Sequence, residues 1–132
     1  MVFGTFDILH QGHINFFKQA RKLSANPFLI VSIARDDNVK KIKGQKPKNN
    51  ERKRLSAIKK YVLVNKVVLG GAKNYLKHIL KEKPQVIVLG YDQKAYTRNL
   101  RKLLNKQGLK VRVVRARPFK PHLYKSSLLK NS

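Results

Sequence analysis

Residues 4–13 read GTFDILHQGH. They follow MVF, a short apolar run, and lead into GHINFFKQARKL (12–23), where Ile14, Phe17, Ala20 and Leu23 fall roughly on one face of a helix. The stretch is therefore a turn between a strand and a helix. Gly4 permits tight backbone geometry and the close approach of a ligand. The amides that open the helix have no partners inside it, and a helix N-terminus carries partial positive charge. Such a turn is suited to hold an anion. His10 and His13 are three apart across the start of the helix, close to one face, where both rings can reach the same phosphate. Zinc would need a third ligand, which is missing nearby, and the chain has no cysteine. A dinucleotide-binding turn would need G-x-G-x-x-G, which this turn lacks.

Further along, short apolar runs alternate with helical patterns. FLIVSIA (28–34), KVVLG (66–70), QVIVLG (85–90) and LKVRVV (109–114) are strand candidates of the continuous apolar kind that suits parallel strands covered on both faces. ERKRLSAIKKYV (51–62), KNYLKHILKEK (73–83) and TRNLRKLLNKQG (97–108) carry helical spacing, the last ending at a glycine. The β-α-β-α-β-α-β-α-β order predicts a Rossmann-like three-layer α/β/α fold on a five-stranded parallel sheet. VKKIKGQKPKNN (39–50) is expected to be a lysine-rich loop. Residues 1–132 are expected to form one domain, with 115–132 as a C-terminal tail.

Composition narrows the class. With 42% hydrophobic residues the chain can bury a core. The absence of cysteine excludes a disulfide scaffold, a thiolate metal site and a thiol nucleophile, and fits a reducing cytosol. No apolar run reaches the length of a membrane span, and no basic-then-apolar leader precedes MVFG, so the expected location is the cytoplasm. Thirty-one Lys and Arg against six Asp and Glu give a net charge of +25. One reading is a nucleic acid or other polyanion partner; the other is a set of solvated lysine-rich helix faces. The basic residues are spread along the chain without interleaved aromatics, which favours the second and leaves weak, salt-sensitive, non-specific polyanion binding. The acids are Asp7, Asp36, Asp37, Glu51, Glu82 and Asp92; four of the six fall at or beside expected strand ends, and Glu82 reads as a plain helix-surface residue. His78, on a lysine-rich helix, reads as surface too.

GTFDILHQGH resembles the HxGH signature of the cytidylyltransferase-like nucleotidyltransferases, with both histidines and their spacing matched. Four further segments agree in order: ARDDNVKKIKGQKP (34–47), ERKRLSAIKKYV (51–62), VLGYDQ (88–93) and YKSSLL (124–129), the last in the place of the family's Ser/Thr signature. The resemblance covers nearly the whole chain. It implies a reaction between a nucleoside triphosphate and a phosphate-bearing acceptor with release of pyrophosphate. The acceptor is already an anion, so alignment and charge neutralisation can carry the catalysis without a general base.

By the same resemblance, His10 and His13 contact the triphosphate. Gly4, Thr5, Phe6 and Gly12 line the nucleotide and the acceptor phosphate. Lys43, in the expected loop, closes over phosphates, and Arg52 binds phosphate oxygens bidentately. Arg54 is expected at the surface. Asp7 either helps at the acceptor or a metal, or stabilises the turn. Gly90, Tyr91, Asp92 and Gln93 receive base and ribose, and Ser126 and Ser127 grip the β- and γ-phosphates, a role compatible with capping a helix. The GYDQ and VKKIKGQKP segments look like archaeal-type FAD synthases, which transfer AMP from ATP to FMN. That implies ATP and FMN as partners, Mg²⁺ or another divalent cation carried on phosphate oxygens, no dedicated protein metal site, and a homodimer. Two alternatives stay open: a CTP-dependent cytidylyltransferase acting on glycerol 3-phosphate or a similar small phosphate, and a catalytically inactive basic nucleic-acid-binding domain.

Overall fold

Strand β1 (Val2–Gly4) lies at the centre of a five-stranded sheet of order β3-β2-β1-β4-β5, made with β2 (Ile30–Ile33), β3 (Lys66–Leu69), β4 (Val86–Leu89) and β5 (Arg112–Arg115). Every pairing is parallel. The computed structural model describes residues 1–71, 75–93 and 99–119. The helices are α1 (Gln11–Arg21), α2 (Asp36–Lys43), α3 (Glu51–Lys59), α4 (Tyr75–Glu82) and α5 (Leu100–Lys106).

Alternation along the strands divides the interior in two. Val2, Val31, Ile33 and Val88 pack with Phe17 of α1 and Ile58 of α3. Ile87 and Leu89 pack with Ile79 of α4 and with Leu100 and Leu104 of α5, and Phe3 joins this second cluster. Apolar side chains thus cover both faces of the sheet, which is why its strands read as continuous apolar runs rather than alternating ones.

The three-layer expectation stands, and two of its details change. Residues 36–43, placed in or before a loop by their lysine density, form α2. Its acids (Asp36, Asp37) sit in the first turn and its lysines (Lys40, Lys41, Lys43) in the last, which matches the helix dipole; Val39 is buried, and Gly44 ends the helix with φ +83°. Strand β5 starts three residues later than its apolar run suggested, because Gly108 (φ +89°) and Leu109 are still turning out of α5.

Strand β1 bonds β2 on one side and β4 on the other. The chain therefore leaves β1 towards one edge, through β2 and β3, and returns to the other edge through β4 and β5. The crevice outside the carboxyl ends of β1 and β4 is the topological switch point, where open α/β sheets bind ligands.

Candidate active site

A cavity of about 510 Å³ opens at that switch point. Its floor includes Gly4, Thr5 and Phe6 after β1, and Gly90, Tyr91, Asp92 and Gln93 after β4. His10, Gly12 and His13 enter from the start of α1, and Lys43 from the last turn of α2.

The two histidines hold each other and the helix start. Gly12 N–H donates to His10 Nδ1 at 3.0 Å, and His10 N–H donates to His13 Nδ1 at 3.3 Å. His10 is the N-cap of α1, so two otherwise orphaned amides find partners in imidazole nitrogens. The rings stack with centroids 3.9 Å apart. Burial lowers the His10 pKa, and burial together with the charge of His10 pushes His13 down to about 3. Both rings are therefore neutral at pH 7. A neutral imidazole whose Nδ1 accepts must carry its proton on Nε2. The pair consequently offers two N–H donors of fixed tautomer, suited to charge that develops on a phosphoryl oxygen.

Phe6 sets the position of His13. Its backbone adopts φ +52°, its ring is 4% exposed, and it packs edge-on against His13 at 5.2 Å and against Phe17 at 5.5 Å. Its ring lies directly over Gly4, where a Cβ would come within 2.7 Å of it. The glycine is required by this folded-back phenyl ring, a reason that the local motif did not disclose.

The turn after β4 is similarly braced. Gln93 Oε1 accepts from Gly90 N at 2.6 Å, and Gln93 Nε2 donates to Phe3 O at 2.8 Å. Arg115 Nη1 donates to the carbonyls of Gly90 and Gln93, each at 2.8 Å. Gln93 lines the cavity and also ties β4 to β1. Asp92 is exposed on the cavity wall and is the one carboxylate among the described lining residues.

Other expected residues are placed differently. Asp7 is buried with its carboxylate accepting from Lys48 N at 2.7 Å and Asn49 N at 2.8 Å; it fastens the 48–49 segment and does not line the cavity. Arg54, expected at the surface, is 1% exposed. Its guanidinium donates to Thr5 O and Ala34 O at 2.8 Å each, to Asn49 O at 3.0 Å, and pairs with Asp36 Oδ1 at 2.7 Å. Arg52, expected on phosphate, is exposed and is not on the cavity wall. The spacing explains both: α3 buries Arg54 and Ile58, one turn apart, which turns position 52 to the opposite side of the helix. Glu82 corrects likewise: its side chain is 7% exposed and meets Lys66 Nζ at 2.8 Å. Ser126 and Ser127 lie outside the described residues.

Arg117, Ser32 and His78 are among the lining residues that were not anticipated. Arg117 sits where the chain leaves β5, held by paired hydrogen bonds between its backbone and the Gln19 side chain of α1. Ser32, on β2, and His78, on α4, meet at 2.8 Å between Ser32 Oγ and His78 Nε2, so His78 is a cavity residue and not a surface one. A serine in an otherwise apolar strand (IVSI) was the available signal for this pair.

A family model described as cytidylyltransferase-like matches residues 1–132 of the chain. This chain belongs to the cytidylyltransferase-like family. Among its relatives, a protein named FAD synthase from Thermoplasma volcanium is 37% identical over 127 residues, which span 96% of this chain and 87% of that one. Proteins of the same name from Korarchaeum cryptofilum and Pyrococcus abyssi are 44% and 41% identical, over 87% and 100% of this chain and 78% and 86% of theirs. A crystal structure titled as the lipopolysaccharide core biosynthesis protein from Thermoplasma volcanium GSS1 superposes with a TM-score of 0.83 at 37% identity, covering 91% of this chain and 96% of that chain. Within the cytidylyltransferase-like frame, the histidine pair described above is the HxGH element. Among the described residues no helix is long and apolar enough to cross a membrane.

Proposed function

We propose that the chain is an ATP:FMN adenylyltransferase, an FAD synthase. The observation that carries this reading is that the neutral His10–His13 pair, the Gly90–Gln93 turn and the apolar residues Val39, Ile42 and Tyr75 line one cavity. The relatives' name supplies the substrates, and the cavity of about 510 Å³ is lined by both the histidine pair and the Gly90–Gln93 turn.

In the reaction, a phosphate oxygen of FMN attacks the α-phosphorus of ATP. The new O–P bond forms as the bond from that phosphorus to the bridging oxygen breaks, and the electron pair leaves with pyrophosphate. Proton balance needs no base, since the nucleophile is an anion. His10 and His13 donate Nε2–H to the oxygens on which charge gathers, without reorganising, because backbone amides already hold their Nδ1 atoms. Lys43 and Arg117 are the cations on the described cavity wall and meet the phosphates of the two reactants. Gly90, Tyr91 and Asp92 take the adenosine, with Gln93 holding their turn. Thr5 and Gly12 offer backbone contacts beside the histidines, and Ser126 and Ser127 complete the grip on the β- and γ-phosphates. Arg52 stands outside this arrangement.

Among the described residues no three His, Asp or Glu side chains cluster as metal ligands, and the cavity wall contributes one carboxylate, Asp92. That donor set fits a Mg²⁺ that would arrive on the triphosphate and be held by phosphate oxygens and water rather than by a dedicated protein site. The ion would neutralise phosphate charge. The reading also takes residues 1–132 as one catalytic domain acting in the cytoplasm as a homodimer, with weak polyanion binding from its charge.

Incubation of the purified protein with ATP, Mg²⁺ and FMN should yield FAD and pyrophosphate. Turnover only with CTP and a small phosphate such as glycerol 3-phosphate would overturn the reading, as would tight nucleic-acid binding without any pyrophosphate release.

A further inference from the structure

The half of the cavity over β2 and β3 differs in chemistry from the half over β4 and β5. Its walls are Val39 and Ile42 of α2 and Tyr75 of α4, and its floor holds Ser32 and His78. Helix α2 is fixed over it, since Arg35 Nε donates to Gly70 O at 2.7 Å and Asn38 Nδ2 to Gly71 O at 3.2 Å. In a chain with 31 Lys and Arg, the described cavity wall carries only Lys43 and Arg117. Neither belongs to this floor: Lys43 ends α2, and Arg117 follows β5. Apart from Lys43 at the end of α2, the lining of this lobe is uncharged and is matched to a flat, largely apolar group.

One polar pair interrupts that lobe. Ser32 is 2% exposed, and its hydroxyl lies 2.8 Å from His78 Nε2. Among the described residues Ser32 is the one hydrogen-bond partner of the His78 ring. Burial lowers the His78 pKa, Lys81 and Arg35 lower it further, and Glu82 opposes them, so the ring is neutral near pH 7. A neutral imidazole anchored through Nε2 retains Nδ1 for a second partner. Nδ1 is a donor if the serine hydroxyl donates to Nε2 and an acceptor if the hydroxyl accepts. The pair can therefore meet either sense of hydrogen bond without gaining charge.

We propose that His78, anchored by Ser32, is a specificity-determining residue for the acceptor and reads the pyrimidine edge of a flavin isoalloxazine ring lying in this lobe. The inference rests on the FMN reading above and names the residue that would select the ring. The flavin edge alternates carbonyl, N–H and carbonyl, so it offers both an acceptor and a donor to Nδ1, and its remaining surface suits Val39, Ile42 and Tyr75. ATP, on the other side of the histidine pair, does not touch His78.

The test is steady-state kinetics with FMN and ATP varied separately, beside FMN binding followed by quenching of flavin fluorescence. Ser32→Ala removes one buried hydroxyl at nearly constant volume; His78→Phe keeps a ring and removes both nitrogens. Each should raise KM and Kd for FMN by about tenfold or more, the equivalent of one good hydrogen bond, while KM for ATP stays within about twofold. FMN methylated at ring N3 should be a poorer substrate than FMN for the wild type and an equal one for His78→Phe. Circular dichroism checks folding, and the Ser32→Ala data decide the matter if His78→Phe does not fold. Unchanged KM for FMN in Ser32→Ala and in any folded His78→Phe overturns the assignment, as does an equal rise in KM for ATP. Wild-type protein that makes no FAD at all sinks the underlying FMN reading instead, an outcome visible before any variant is made.

Discussion

The imidazole rings of His10 and His13 stack at 3.9 Å and 26°, each with its Nδ1 engaged by a backbone amide. Capping uses Nδ1 and the proposed catalytic role uses Nε2 of the same rings, so substitution can separate the two. His13→Ala should lower kcat by about 10²–10³. His10→Ala should lower it similarly and also cost about 0.5–2 kcal/mol of stability through the lost cap. His10→Asn should restore the cap, because Asn accepts well at that position, and leave the rate low. Single-turnover rates beside urea midpoints check this; equal rates for His10→Asn and wild type would remove His10 from the chemistry.

Acid should unfold the protein partly through His13. Folded, its pKa lies near 3 against an ordinary 6.5, because burial disfavours the charged ring. Between those values the unfolded chain binds the extra proton. The contribution is therefore complete above about pH 6.5 and is lost as pH falls towards 3, by up to about 1.4 kcal/mol per pH unit. Urea midpoints taken between pH 7.5 and 4.5 should fall for wild type and flatten for His13→Asn. Parallel curves for the two proteins would refute the assignment.

Among the described residues Arg54 is the buried cationic side chain, and its donors bind three carbonyls and one carboxylate. Arg54→Met leaves Asp36 unpaired and should cost about 3–5 kcal/mol, whereas Arg52→Met, at an exposed position, should change stability by no more than about 0.5 kcal/mol. Denaturant titration of both distinguishes a structural arginine from a solvated one. Equal effects would contradict the packing.

Gly4→Ala should cost about 1–3 kcal/mol and lower activity, since the new methyl group meets the Phe6 ring and displaces it against His13. Relief by Phe6→Leu in the same protein would confirm that the clash is with that ring. A double variant no more stable than Gly4→Ala would not fit.

Gln93→Leu leaves Gly90 N–H and Phe3 C=O without their side-chain partner and should cost about 1–3 kcal/mol. KM for ATP should rise more than KM for FMN, because the loosened turn is the one proposed to take the adenosine. The reverse order would argue that the turn serves the acceptor.

What the sequence disclosed follows from the range of each interaction. The apolar runs of β2, β3 and β4, the helical patterns of α1 and α3, and the histidines of the first turn are local; each element lies within its expected run or within a residue of it, although α1 ends before Leu23 and α3 before Val62. Gly90 and Asp92 needed only a strand end, and they reach the cavity. Contacts made far along the chain were hidden. Nothing near Arg54 announces that Thr5 and Ala34 need its donors, and nothing near His78 points to Ser32, 46 positions earlier. Helix α2 was obscured for a different reason: its lysines suggested a loop, although their position in its last turn suits the dipole.

The strand order has a temporal consequence for the chain as it leaves the ribosome. Strand β1 pairs with β2 soon after both are made, but its other edge waits for β4, whose Val88 sits beside Val2. At typical elongation speeds the interval between completing Ile33 and Leu89 is roughly 3–11 seconds. Throughout it, the β4-facing edge of β1 has no partner strand, so the crevice between the carboxyl ends of β1 and β4 can form only after β4 is made.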